Sequence, residues 1–350
     1  MKPRPSDDLR ILCWEGYDSS TLLSSFEQRH GIAVAAETLL SDAAAVHHIL
    51  NSPPDAFDVI NLNNPFAQQV LYPKGIIQAL DMDRFGGHLN QTPKPLAHFF
   101  DCVKSVDGDA LLGVCQRFGP FNMVINTNRL SVGFAEDQGF FLPFDPALKG
   151  RYGVLLYDDF TVFHVCISAG LNPFKPLSGA DLDQFSKAAE VWFSGAAIVT
   201  DDHDALNAAL LRGDIDVYLG GGRYTVAHAR RAGHTTLRAI TPRSGPINGR
   251  GAIAFVEVTS ITKKARNIAL AEDFLDHILK PRSAYTMAFE TGLCNPVAQF
   301  CDPAIRALAS ATDLNAIQWD TLEEEMHRCA PYQIAPDYSA LLKRLKQALL

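Results

Sequence analysis

The feature that most restricts the fold is a repeated alternation of short apolar runs with amphipathic helical stretches. Leu9 to Trp14 (LRILCW) reads as a buried strand, and Ser19 to His30 as a helix with Leu22, Leu23 and Phe26 on one face. Gly31 supplies the C-terminal cap, and Ile32 to Leu40 returns to extended structure. Asp42 opens a second helix through Leu50, Phe57 to Leu62 reads as a third strand, and Pro65 starts the next helix. Strands joined by helices of this length need crossover connections, which predicts a parallel sheet. The rhythm returns in the strand Tyr152 to Tyr157, the helices Asp159 to Ala169 and Ala180 to Phe193, and the strand Ile215 to Leu219 running into Gly220, Gly221 and Gly222. A strand from Ala252 to Val258 precedes a helix expected over Ile261 to Leu279, and the last fifty residues read as wholly helical. With 350 residues, 47% of them hydrophobic, the chain has apolar surface for two cores, so two α/β lobes are expected.

Charge and cysteines exclude several functions. The net charge is −8 and no basic block is present, so nucleic acid is not an expected partner. The cysteines, seven in all (Cys13, Cys102, Cys115, Cys166, Cys294, Cys301 and Cys329), form no C-x-x-C pair and no zinc-type spacing. Neither a metal nor a cofactor is implied, and an odd total leaves at least one thiol unpaired. No apolar run approaches the ~18 residues of a membrane-spanning helix. Met1 to Arg10 has neither an apolar core segment nor a small-residue cleavage site, so no secretory signal is read there. The expectation is either a cytoplasmic protein or one whose signal was removed.

The order of these elements and their connecting residues resembles the spermidine/putrescine-binding family of solute receptors. Cys13-Trp14-Glu15-Gly16-Tyr17 is similar to that family's N-W-x-x-Y segment, Phe57-Asp58-Val59-Ile60 to its YDLVV strand, and Lys74 to Asp81 (KGIIQALD) to its G-x-I-Q-x-I/L-D run. Leu156 to Asp159 sits where the family has a strand ending in an acidic pair; Ala227 to Gly233 (AHARRAG) is similar to its VARQAG helix, and Ala269 to Leu279 to its ALxxINFLL helix. The resemblance covers roughly Leu9 to Gln299. It implies an α/β, two-lobed type II periplasmic-binding-protein-like clamp with crossing hinge segments, one lobe of 1–121 plus 252–300 and another of 122–251 plus 301–350. It further implies a periplasmic location, an ABC-importer membrane permease as partner, a small-molecule solute held between the lobes, a monomer, and no catalysis.

Ligands of parallel α/β sheets bind at strand carboxyl ends and helix N-termini. That rule selects Trp14, Glu15 and Tyr17 after the first strand, where an aromatic ring can wall an alkyl chain or face an ammonium group. It also selects Asn63 and Asn64 after the third strand, with Asn64 equally readable as a helix N-cap. Asp159 is placed to pair with an amine or to cap a helix. Gly222, Arg223 and Tyr224 follow the fifth apolar run, where glycines let backbone approach a ligand and Arg223 grips a carboxylate. Arg223 is expected to be replaceable without loss of fold, since its neighbours read as a glycine turn. Arg250, between Gly249 and Gly251, sits at an expected crossing.

Departures from the family bear on the ligand. Its W-x-D at the crossing is matched with Gly249-Arg250-Gly251, its tryptophan before the AHARRAG-like helix with glycines, and a further acid with Val162. Buried arginines repel a polyamine. A small charged nitrogenous or carboxylated solute, amino-acid-like as in γ-aminobutyrate, is therefore favoured, with a dicarboxylate or phosphorylated compound next. The alternatives are a polyamine receptor, a cytoplasmic ligand sensor, or a cleft-cysteine enzyme using Cys13 beside Glu15.

Overall fold

The computed structural model of the protein describes residues 9–39, 41–89 and 96–350. Expectations for residues 1–8, including the missing secretory signal, and for Leu40 lie outside them. The chain divides into two compact units. Unit 1 is Met1–Phe118 with Phe255–Ala311, and unit 2 is Gly119–Ala254 with Thr312–Leu350. The strands in chain order are β1 (Leu9–Cys13), β2 (Val34–Thr38), β3 (Val59–Asn63), β4 (Val114–Asn126), β5 (Tyr152–Leu155), β6 (Ile198–Thr200), β7 (Val217–Gly222), β8 (Leu237–Ile240), β9 (Ala252–Ile261) and β10 (Cys329–Pro331). The helices used below are α1 (Ser20–His30), α2 (Asp42–Asn51), α3 (Asp158–Ser168), α4 (Gly179–Ser194), α5 (His203–Arg212), α6 (Arg223–Arg231), α7 (Ile268–Ile278), α8 (Trp319–His327) and α9 (Tyr338–Ala348).

In unit 1, β1 lies parallel between β2 and β3, as the crossover rhythm predicts. The C-terminal half of β9 then runs antiparallel to β3, with Val59 opposite Ile261 and Asn63 opposite Glu257. The late strand thus completes the first sheet. α1 ends at Gly31 in the left-handed conformation, and α2 is capped by Ser41, whose hydroxyl accepts from Ala44 N–H. Phe26 of α1 meets Phe274 of α7 edge-on at 5.3 Å between ring centroids.

The helix expected from Ile261 starts later. Thr262 and Arg266 are tied to the segment before β3: Thr262 N–H donates to Asp58 C=O, and Arg266 donates through its backbone N–H (2.8 Å) and Nη2 (2.7 Å) to the Asp58 carboxylate. These bonds hold 262–266 in a turn rather than a helix, and α7 begins only after Asn267, whose side chain accepts from Leu270 N–H.

In unit 2, β5 lies parallel between β6 and β7, and the C-terminal half of β4 runs antiparallel to both β7 and β8. Val124, Leu155, Leu206, Leu210, Ile215, Tyr218 and Val226 share one apolar cluster there. α4 starts with a reciprocal capping box between Ser178 and Asp181. The final segment is not wholly helical. Pro331 interrupts the helical pattern, and Cys329–Pro331 forms β10, parallel to Ala252–Ala254 of β9.

One buried group in unit 2 makes stability depend on pH. His164 of α3 is fully buried, stacks on Phe140 (centroids 4.1 Å, 17° between planes), and has no hydrogen bond at either ring nitrogen. Burial pushes its pKa down to about 3. Being lowered in the folded state, it leaves stability intact above the unfolded value near 6.5 and erodes it as pH falls from there towards 3. Between pH 7.5 and pH 5 the loss is about 2 kcal/mol. The His164→Leu variant is expected to lose that part of the acid sensitivity, read as a smaller fall in Tm between the two pH values than wild type shows.

Candidate functional site

The candidate residues of unit 1 gather at the carboxyl ends of β1 and β3. Trp14 follows β1 half-buried, its backbone N–H donating to Asn61 Oδ1 (3.4 Å), while Glu15 is exposed and Tyr17 is buried. Asn63 closes β3 and is gripped from the start of α2, its N–H and Nδ2 donating to the two Asp42 carboxylate oxygens at 2.9 and 2.7 Å. Its own Oδ1 is buried without a hydrogen bond. Asn64, buried, is the first residue of the following helical turn and not its N-cap, a place taken by Asn63.

Two residues at the heart of this cluster escaped the sequence reading. Arg117 of β4 and Glu257 of β9 are both buried, and Arg117 Nε donates to Glu257 Oε2 at 2.9 Å. The Arg117 guanidinium lies 4.9 Å from the centre of the Tyr17 ring. Burial lifts the Glu257 carboxyl above the usual range, opposed by the Arg117 charge and hydrogen bond and by the Tyr17 hydroxyl. Burial disfavours the Arg117 charge, but Glu257 more than offsets it and the pKa ends above the ordinary arginine value. The signal was a charged residue inside each of two otherwise apolar runs, since a buried charge implies a partner. Moreover, the chain returns to unit 1 between Ala254 and Phe255. The residues there are Phe255-Val256-Glu257, and the Glu257 acid is neutralised by Arg117.

In unit 2, Asp159 lies buried in the first turn of α3 and accepts a hydrogen bond from the Tyr338 hydroxyl of α9. Phe160 beside it stacks on Phe121 and Tyr157, and Tyr224 meets Phe121 edge-on at 6.3 Å.

The glycine run is not an open turn. Gly220 to Gly222 are the buried end of β7, and internal packing explains two of them. Gly220 has φ +91, and a Cβ there would stand 2.7 Å from Leu155 C=O; at Gly221 it would meet the Tyr218 ring at 2.4 Å. Gly222 is the N-cap of α6 and exchanges hydrogen bonds with the Thr225 hydroxyl.

Arg223 is likewise internal, which corrects the expectation of a dispensable side chain. Its Nη2 pairs with Glu325 of α8 at 2.9 Å, its Nε points to Gln318 C=O at 3.4 Å, and Nη1 is buried without a hydrogen bond. Glu325 also accepts from the Thr321 hydroxyl (2.8 Å) and the Thr241 hydroxyl (2.7 Å). Arg250, half-buried, ends the turn Ile247–Arg250, in which Asn248 and Gly249 both have positive φ. Its side chain makes no hydrogen bond or ion pair among the described residues. Both arginines act on the same thiol: burial and Glu325 raise the Cys329 pKa, while Arg223 and Arg250 lower it. Arg243 is exposed and pairs with Glu136 at 2.8 Å.

Cys13 has the opposite of a nucleophile's environment. Burial, with the Asp18 charge second, pushes its thiol up to about 12, so it stays protonated at neutral pH.

No protein-family model and no curated protein sequence matches the chain. Solved structures do. The spermidine/putrescine ABC transporter substrate-binding protein PotD from Streptococcus pneumoniae aligns at TM-score 0.69 with 15% identity, over 98% of this chain and 100% of that one. The Tp0655 (TpPotD) lipoprotein of Treponema pallidum aligns at 0.71 with 15% identity, over 98% and 99%. The Atu4243 GABA receptor aligns at 0.66 with 13% identity, over 98% of each chain. The chain has the fold of ABC-importer solute-binding proteins. Within that solute-binding-protein fold, the arginines at 117 and 223 are each committed to a buried carboxylate, and each keeps a buried donor in reserve.

Removing the Arg223 side chain leaves the Glu325 carboxylate buried without its cation, a loss of about 3–5 kcal/mol. Arg223→Ala is expected to lower Tm by roughly 6 °C or more. Arg223→Met combined with Glu325→Gln is expected to recover most of that loss in differential scanning fluorimetry.

Proposed function

We propose that the protein is the solute-binding component of an ABC-type importer, acting outside the cytoplasm as a monomer that delivers a small carboxylated solute to a membrane permease. The observation that carries the reading is the charge pattern at the strand ends of a solute-binding-protein fold. The acid at the return crossing, Glu257, is already neutralised by Arg117 at 2.9 Å, Arg223 is neutralised by Glu325 in the same way, and Arg250 adds positive charge in unit 2 that no described side chain pairs with. A polyamine meets no free negative pair there, and bringing it beside arginines costs several kcal/mol. A carboxylate is welcomed by the same groups.

The residues proposed to touch the solute are Trp14, Glu15, Tyr17, Asn63 and Asn64 in unit 1 and Asp159, Gly222, Arg223, Tyr224 and Arg250 in unit 2. The aromatic rings suit a short alkyl chain. Asp159, whose carboxylate is shared with the Tyr338 hydroxyl, is the group placed for an amine. That combination fits γ-aminobutyrate, the compound named for one structural neighbour, better than the polyamines named for the others. Among the described residues no helix is long and apolar enough to cross a membrane and no cluster of metal-binding side chains occurs, both compatible with this role.

A thermal-shift screen tests the reading directly, because a solute that binds only the native state raises Tm. γ-Aminobutyrate or a short dicarboxylate at about 100 times its Kd is expected to raise Tm by roughly 5–10 °C, with spermidine and putrescine inert. A shift with polyamines alone would restore the polyamine assignment.

A further inference from the structure

The buried pair in unit 1 carries one inference that deepens the binding reading and rests on it. Arg117 spends Nε on Glu257 and offers one face of its guanidinium to the Tyr17 ring, yet Nη1 is buried with no hydrogen-bond partner. An arginine cannot shed its proton, so a buried N–H without an acceptor is a standing cost unless an acceptor arrives. Residue 16 does not supply it: Gly16 has φ +94, and a Cβ there would already stand 3.3 Å from Arg117 Nη1 and 3.0 Å from the Thr291 hydroxyl oxygen, so no side chain at that position meets the donor.

We propose that Arg117 sets solute specificity in unit 1: Nη1 takes a carboxylate oxygen of the solute, and Glu257 holds the guanidinium in place instead of receiving an amine. Glu257 already accepts a charge-assisted hydrogen bond from Nε, and an ammonium group brought to it would displace that bond and strand a buried guanidinium. A carboxylate at Nη1 leaves the Nε–Glu257 bond in place and satisfies the orphaned donor. The solute's acidic end therefore faces unit 1, and the substrate class is a short carboxylate whose other end carries an amine or a second acid.

Three probes on the same four-carbon chain separate the possibilities: succinate, γ-aminobutyrate and putrescine, titrated calorimetrically into the full chain. Wild type is expected to prefer succinate or γ-aminobutyrate to putrescine. The double variant Arg117→Gln/Glu257→Gln, which keeps the site neutral, is expected to bind the carboxylates at least ~30-fold more weakly. Retention of carboxylate affinity within about threefold by a folded double variant removes Arg117 as the anchor and leaves the solute-binding reading standing. If that variant does not fold, Arg117→Lys decides. It keeps a cation beside Glu257 but removes the Nη1 donor, and is expected to bind γ-aminobutyrate at least ~10-fold more weakly, whereas affinity within about threefold of wild type overturns the proposal. Wild type that binds putrescine best, or none of the three, overturns the carboxylate reading itself.

Discussion

Two strands, β4 and β9, are buried along their whole length, and each carries one charged residue at a position that other side chains cannot shield by moving aside. The ion pair between Arg117 and Glu257 is what makes both strands admissible in an apolar interior. Neither charge is tolerable alone, and together they fix how the two strands face one another within unit 1. The register of β3 against β9 then sets Asn63 opposite Glu257, and the cation–π contact sets the loop after β1 over the guanidinium. The arrangement of candidate residues in unit 1 is thus a consequence of satisfying one buried pair.

Unit 2 solves a similar problem with different parts. Glu325 is surrounded by Arg223 and the hydroxyls of Thr321 and Thr241, so α6, α8 and the end of β8 are held by one carboxylate. The strand-to-helix junction at Gly222 is shaped by packing against Leu155, Tyr218 and Tyr224. The close approach that glycine permits at 220 and 221 is used by the protein's own backbone and rings.

The alternation of apolar runs and helices was enough to read the parallel strands β1, β2 and β3, the parallel set β5, β6 and β7, and the capped helices α1 and α2. Elements set by distant partners were not legible. The helix after β9 was read seven residues early because nothing local reveals that Asp58 ties Thr262 and Arg266 into a turn. β10 was invisible because three residues pair only by virtue of the strand beside them. Strand-end positions located Tyr17, Asn63 and Asp159. Local chemistry could not disclose that Glu325 lies against Arg223, or that the meaningful acid near the crossing is Glu257.

The interleaving of the two units bears on when the protein can fold. The sheet of unit 1 lacks its β9 edge until residues near 261 have been made, and the core of unit 2 lacks the carboxylate that neutralises Arg223 until Glu325 has been made. A growing chain therefore leaves both units open through most of its synthesis, with Arg117 and Arg223 solvated until their carboxylates arrive, so each unit closes late and at nearly the same time.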